Sequence, residues 1–453
     1  MASFYDAAFG INLAVCVFLR LGSNYLLKDN KKDEEKTSET PVSNLEQQRL
    51  FKSFQFQWLF VYMTFMAADW LQGPYFYSLY SSYGFTETQI AIFFLAGFTS
   101  GMIFGTFIGS LADKHGRKKL SIVCGVLYGT ACAIRFINDR DVIIVSHILS
   151  GISSSLLHSV FEVWMITEHS KRSFPQHLLS ETLSWATFLN GIVSIVAGVS
   201  ATFLVQIYGV QGPFGASSML FFLGALIVSL TWNENYGDQK TEFNQAFGNA
   251  VKRLFAEPRF ISLGLIQSLF ETTMYTFVFL WAPCLTAATE SDEPLPFGTI
   301  FANLMVSIMI GSSVFSIMMR LNVQLINIAK ILFVIAAIAM YSCSLFITGP
   351  HLLGLFFCVF EFCCGIYFPA LGTLKAITVP DEMRSTMSNL FRIPLNFMVM
   401  IVLLKVDDFD KTTLFFICVG ELLLGLLLCF FFQSKTEEEN ARASRSSSDS
   451  ESK

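Results

Sequence analysis

Four carboxylates stand inside stretches that are otherwise apolar: Asp69, Glu162, Glu271 and Glu361. An isolated charge at the centre of a membrane helix costs about 2.5 to 3.5 kcal/mol on translocon scales. Such residues normally face a bundle interior or a wet cavity and mark a functional site by default. The chemistry they suit is handling of a polar solute. Other polar residues recur beside them at helical spacing. One set is His147, Gly151, Ser154, His158 and Glu162; a second is Ser385, Asn389, Arg392 and Asn396; a third is Asp69, Gln72, Phe76 and Tyr80. Steps of three and four place each set on one side of its helix. Stripes of Ser, Asn and Gly also glue membrane helices together. The full charges of Asp69, Glu271, Glu361 and Arg392 are an expensive glue and read as a site.

These residues need membrane-spanning elements to hold them. The 453-residue chain is 53% hydrophobic and 14% charged, with 48 Phe. Soluble domains carry about 25% charge, so a large soluble core is excluded. Apolar runs of about 20 residues read as transmembrane helices. They fall near 4–27, 56–80, 88–112, 119–137, 142–166, 183–207, 214–232, 259–283, 297–319, 331–348, 352–377, 387–404 and 412–433. The first lacks Lys and Arg at its front end, unlike a signal peptide, and reads as a retained helix that starts outside. The expected fold is therefore an all-α membrane protein with twelve core helices plus one extra N-terminal helix.

Lys and Arg concentrate in segments 28–55, 114–119, 167–182, 233–258 and 434–453, whereas the alternate loops carry only Arg140, Lys405 and Lys411. The basic segments are expected in the cytosol, together with the C-terminus. The chain thus reads as an extra helix (1–27), a solvated linker (28–55), a six-helix block (56–232), a cytosolic loop (233–258), a second six-helix block (259–433) and a disordered cytosolic tail (434–453). Two blocks of nearly equal length suit transporters built from parallel repeats. The acids follow that symmetry. Asp69 and Glu271 fall on the first helix of each block, Glu162 and Glu361 on the fourth. Gly73-Pro74, Pro283, Pro369 and Pro394 interrupt helices and point to the same region.

The composition excludes other classes. No basic cluster is interleaved with exposed aromatics, so nucleic acid is not a partner. Nine of the ten Cys lie inside apolar segments and Cys284 near a predicted outer loop; neither a disulfide framework nor a zinc spacing is present. No nucleophile–base pair, metal motif or phosphate loop stands out, so the chain reads as a non-enzyme without metal or cofactor.

The segment GSLADKHGRKKL at 109–120 resembles the loop signature of the major facilitator superfamily, with Gly109, Leu111, Asp113, Gly116, Arg117 and Lys118 in register. Gly109, Asp113, Gly116 and Arg117 are expected to form a conformational latch, since a charged pair made in one state only biases a bistable packing. The corresponding stretch of the second block, 320–330, keeps Arg320 and Lys330 without the Gly-Arg pair. His147 stands where the superfamily often has Arg.

Longer strings are more specific. AADWLQGPYFYSLY (67–80), FEVWMITEH (161–169), SLFETTMYTFVFLWAPCL (268–285), CCGIYFPALG (363–372) and STMSNLFRIPLN (385–396) resemble the molybdate-anion transporter family. The resemblance implies a secondary carrier that moves molybdate, a tetrahedral oxyanion, by alternating access. A dianion wants positive charge, yet the candidate cavity offers four acids against Arg392, with Lys375 and Arg135 nearer helix ends. Either the acids are paired or some carry a proton, which would couple proton and anion entry. On this reading Arg392 contacts the anion, and Asn389 and Asn396 are neutral donors. Asp69, Glu162, Glu271 and Glu361 hold their helices or carry the proton. Gln72 and His158 line the polar faces, and Tyr75, Tyr275 and Tyr367 supply hydroxyls. The site is expected near mid-membrane between the blocks. The expected partners are the oxyanion, protons and the lipid bilayer, with the oligomeric state open. The plasma membrane is the expected location, an endomembrane the alternative. Another small anion, a sugar, or a non-transporting receptor or scaffold remain the competing readings.

Overall fold

The computed structural model describes residues 4–19, 45–236, 243–289, 295–380, 384–406 and 408–451, and its regular structure is all helical. The helices are α1 (Phe4–Leu19), α2 (Leu45–Gln72), α3 (Phe76–Ser82), α4 (Glu87–His115), α5 (Arg117–Ile134), α6 (Arg140–Leu157), α7 (Val160–Lys171) and α8 (Gln176–Tyr208). They continue as α9 (Gly212–Thr231), α10 (Phe243–Ala256), α11 (Pro258–Ala288), α12 (Phe297–Arg320), α13 (Leu325–Leu345), α14 (Pro350–Thr378), α15 (Arg384–Leu404) and α16 (Lys411–Glu451). Among the described residues, nine helices are long and apolar enough to cross a membrane.

Local chemistry sets many of the ends. Thr86 and Gln89 form a capping box that starts α4. The Asp139 carboxylate accepts from the amides of Asp141 and Val142, both at 3.0 Å, and starts α6. Pro258 and Pro350 open α11 and α14 in the first turn, where their missing N–H is an orphan anyway. Gly73–Tyr75 form a 3-10 turn that separates α2 from α3, the interruption expected at Gly73-Pro74. Pro283, Pro369 and Pro394 instead sit inside continuous helices.

The chain forms two compact units. Unit 1 comprises Met1–Thr241 and Asp292–Val306; unit 2 comprises Glu242–Ser291 and Ser307–Lys453. In unit 1, α2 packs on α8 and α9, α5 on α6 and α9, and α4 on α6. In unit 2, α11 packs on α15 and α16, and α13 on α14 and α16. Four of the five packings of unit 1 thus recur in unit 2.

The tightest joints repeat as well. A Cβ on Gly151 of α6 would strike the Gly97 carbonyl and Ser100 hydroxyl of α4, and one on Gly365 of α14 would strike the Ile308 carbonyl of α12. Only glycine permits backbones this close. The core of unit 1 is aromatic: Trp164 and Trp232 stack at 3.8 Å, and Phe65 meets Phe161 edge-on at 4.6 Å. In unit 2, Phe270 stacks on Tyr367 at 4.0 Å.

Several expected boundaries differ. Helix α2 begins at Leu45, inside the segment read as linker; residues 20–44 lie outside the described ones. The polar stretch 233–258 holds α10 rather than a loop throughout. The tail read as disordered continues α16 to Glu451, since after Lys435 it contains neither Gly nor Pro to stop the helix. Helix four is two pieces, α6 and α7. At the break His158 Nδ1 bonds the Ser154 carbonyl at 2.9 Å, and Ser159 donates to the Ser155 carbonyl at 2.7 Å. Side chains that take the helix's own carbonyls compete with its ladder. Cys284, expected near an outer loop, is buried within α11, and no disulfide joins cysteines of the described residues. The unit boundary also differs from the expected blocks: α12 contributes Phe297–Val306 to unit 1 and the rest to unit 2.

Candidate functional site

Helix α2 brings Asp69 and Gln72 onto one face of unit 1, three residues apart. The 3-10 turn after Gln72 then turns Tyr75 and Phe76. Opposite lies α5, whose last turns carry Tyr128, Cys132 and Arg135. Tyr128 donates its hydroxyl to Asp69 Oδ1. Arg135, 1% exposed, donates from Nη1 to Gln72 Oε1 and from Nη2 to Ser150 Oγ at 2.6 Å. Cys132 Sγ shares the Gln72 carbonyl at 3.3 Å. The guanidinium lies 4.8 Å from the Phe76 ring centroid and 5.9 Å from that of Phe214, so aromatic faces flank it.

Unit 2 builds a related set on α11. Glu271 Oε1 accepts from the Tyr367 hydroxyl at 3.0 Å. Gln267, one turn earlier, accepts through Oε1 from Lys375 Nζ at 3.2 Å. Lys375 and Arg392 both lie in the field of Glu271. Each unit therefore joins an acid to a tyrosine, and a neighbouring glutamine to a cation. The register differs: the glutamine follows the acid in unit 1 and precedes it in unit 2.

The remaining expected site residues fall in different surroundings. Glu361 is 6% exposed, with the Cys364 thiol as a hydrogen-bond partner. Glu162 and His158 are exposed; His158 lies in the field of Asp69, and Glu162 and Asp69 both act on Tyr62. His147 Nε2 pairs with the Tyr80 hydroxyl at 2.7 Å. Tyr75 bonds Thr202 Oγ1 at 3.5 Å and accepts from the Gly298 amide at 3.3 Å, so its hydroxyl joins helices within unit 1. Tyr275 lies in the field of Glu271 and Arg392. Arg392 is exposed. Asn396 spends an amide proton on the Arg392 carbonyl at 2.7 Å, which narrows its use as a solute donor. The side chain of Asn389 lies outside the described residues.

Of the residues expected to form a latch, Asp113 and Arg117 pair, with Gly116 between them in the chain. Arg117, buried, pairs with Asp113 at 2.7 Å and donates to Thr167 of α7. Gly116 adopts φ +98°, open to glycine at little cost. Its missing Cβ leaves room for Glu234, whose carboxylate would otherwise stand 2.5 Å away. Glu234 accepts from the amides of Lys118 at 2.8 Å and Lys119 at 3.1 Å, capping the positive end of α5. Gly109 lies within α4, one turn before Asp113.

Comparison with known proteins gives this arrangement a family. Residues 13–360 match a major facilitator family model described as sugar transporters with 12 transmembrane segments. A molybdate-anion transporter of Xenopus tropicalis is 33% identical over 392 residues, covering 83% of this chain and 85% of that protein. One of Danio rerio is 29% identical over 430 residues, covering 88% and 86%. The chain belongs to the major facilitator superfamily, in the family of the molybdate-anion transporters. It is an integral multi-pass membrane protein of a transporter family, not of an enzyme family. Solved structures of other transporters share the fold. The nucleoside transporter NupG has TM-score 0.65 at 11% identity, covering 84% of this chain and 99% of that one. A D-xylose-proton symporter has TM-score 0.65 at 13% identity, covering 84% and 97%.

Within this family member, sequence reasoning passed over four groups. Tyr128 and Gln267 look like ordinary helix residues. Glu234 lies in a polar stretch read as loop. Glu421 of α16 accepts from Thr273 at 2.9 Å and is a further acid in an apolar run; its signal, GELLLG at 420–425, was available.

Proposed function

We propose that this chain is a secondary active transporter of molybdate, or of a closely similar tetrahedral oxyanion, working by alternating access. The observation that carries the reading is the paired chemistry of the two units. Within helices otherwise built for lipid, an acid and a glutamine on α2 and again on α11 meet a tyrosine and a cation carried on or beside α5 and on α14. Charge in such places is expensive and serves a polar solute. Relatives named molybdate-anion transporters, at 29 to 33% identity over most of the chain, supply the solute.

On this proposal twelve core helices and the extra N-terminal helix cross the membrane, with the C-terminus cytosolic and the plasma membrane as the location. Arg392 is an anion contact, with Asn389 and Asn396 beside it. Asp69 and Glu271 carry the proton that enters with the anion, and Gly109, Asp113, Gly116 and Arg117 latch one conformation. The test is radiolabelled molybdate uptake by purified protein in proteoliposomes. Uptake should rise with an inward proton gradient, and Glu271→Gln and Arg392→Ala should each lower it about tenfold or more, as for loss of one charge-assisted contact. A flat response to the gradient removes the coupling; no molybdate uptake removes the function.

The family model's description favours a sugar as the second reading. Glucose competing against labelled molybdate, with sulfate inert, would favour it.

A further inference from the structure

Arg135 is a buried cation that feels the charge of Asp69 but makes no ion pair with a described residue. Asp69 is in its field but receives the Tyr128 hydroxyl. The partners of Arg135 are neutral: Gln72, Ser150, Cys132 and the Tyr80 hydroxyl. Its Nε–H has no acceptor among the described residues, and neither has the Gln72 side-chain amide nitrogen. The latter approaches Asp69 without reaching hydrogen-bond geometry. Two donors without acceptors among the described residues therefore belong to groups already bonded to each other through Arg135 Nη1 and Gln72 Oε1.

Buried donors are seldom left unmade, and a buried cation without a partner is more costly still. What would satisfy all three at once is a group that only accepts hydrogen bonds and carries negative charge. A planar guanidinium edge fits two oxygens of an oxyanion. The Nη atoms are tied to Gln72 and Ser150, which fixes the direction of the Nε edge.

We propose that Arg135 and Gln72 form an anion-recognition point in unit 1, binding a tetrahedral oxyanion through Arg135 Nε and the Gln72 amide. This deepens the transporter reading and rests on it only for which oxyanion is bound.

The test measures binding to the purified full chain by titration calorimetry and by the shift of its thermal transition, with molybdate, sulfate and phosphate offered separately and chloride as control. At least one oxyanion should bind and raise the transition temperature. Arg135→Gln should weaken that binding about a hundredfold. Arg135→Lys, which keeps the charge but loses the Nε edge, should weaken it about tenfold. Gln72→Glu places a counter-charge against Arg135, so the protein should stay folded while oxyanion binding is lost. That variant carries the test should Arg135→Gln not fold. Binding of sulfate or phosphate, but not molybdate, through Arg135 leaves the site standing and removes the molybdate reading. Molybdate uptake with unchanged affinity in Arg135→Lys and Gln72→Glu leaves the transporter standing and overturns the site. No oxyanion response in the wild type overturns the site too, and makes its orphaned donors the place of a buried water only.

Discussion

At the scale of the residue, the Asp69 carboxylate accepts the Tyr128 hydroxyl. Removing one partner of a buried polar pair strands the other, at about 1 to 3 kcal/mol. Tyr128→Phe should therefore lower the thermal stability of the protein by that order in a detergent melt, and Tyr128→Phe with Asp69→Asn should restore part of it. An unchanged melt would mean that Asp69 draws its stabilisation elsewhere. Glu234 offers a second case. Its carboxylate holds two amides at the start of α5, so Glu234→Ala should cost about 1 to 2 kcal/mol through the lost cap. Glu234→Gln should cost less. Asp69 and Glu271 were legible in the sequence because a charge in an apolar run is improbable without a use. Arg135 was not, because a cation at a helix end is ordinarily expected to reach water. Only the folded chain shows it dry, between Phe76 and Phe214.

At the scale of the element, the paired joints of α4 with α6 and of α12 with α14 set how closely helices approach. Gly151→Val or Gly365→Val must push backbones apart, a strain of about 1 to 3 kcal/mol or more. Each should broaden or lower the melt, whereas Gly420→Val, where nothing stands within 4 Å, should leave it almost unmoved. The junction of α10 and α11 is held differently. Glu257 accepts from Arg253 at 3.0 Å and from Arg259 at 2.8 Å. Burial pushes its carboxyl up, but the bonds from Arg253 and Arg259 outweigh this and leave it below its usual range. A lowered acid contributes stability above its ordinary value of 4.5 and loses it as pH falls through the lowered one. The contribution is about 1 kcal/mol or less at so exposed a site. Amide exchange across the junction should quicken in acid beyond its intrinsic rate, and Glu257→Gln should abolish that difference. Helix positions were readable from apolar runs. The break at His158 was not, since it arises from serine and histidine side chains bonding helix carbonyls rather than from Pro or Gly.

At the scale of the molecule, helix α1 is tied into unit 1 by polar bonds. Asn303 of α12, 1% exposed, donates to the Tyr5 carbonyl at 3.0 Å and accepts from Asn12 at 3.1 Å. Asn303→Leu should loosen α1, and buried Cys16 should then react faster with a maleimide than in the wild type. Equal rates would show that apolar contacts alone seat the helix. The twofold repeat of helices was legible from segment lengths and from the placement of the acids. The division of α12 at Val306 and Ser307 was not, because it depends on which neighbours each turn of one uninterrupted helix touches.

The carpentry of the two units is duplicated, whereas their chemistry is only rhymed: glutamine trails the acid on α2 and leads it on α11. Selection for a new cargo could thus rewrite a handful of polar side chains and leave every glycine seam intact. Kindred carriers with different tastes should differ at Gln72, Arg135, Gln267 and Lys375 before they differ at Gly151 or Gly365.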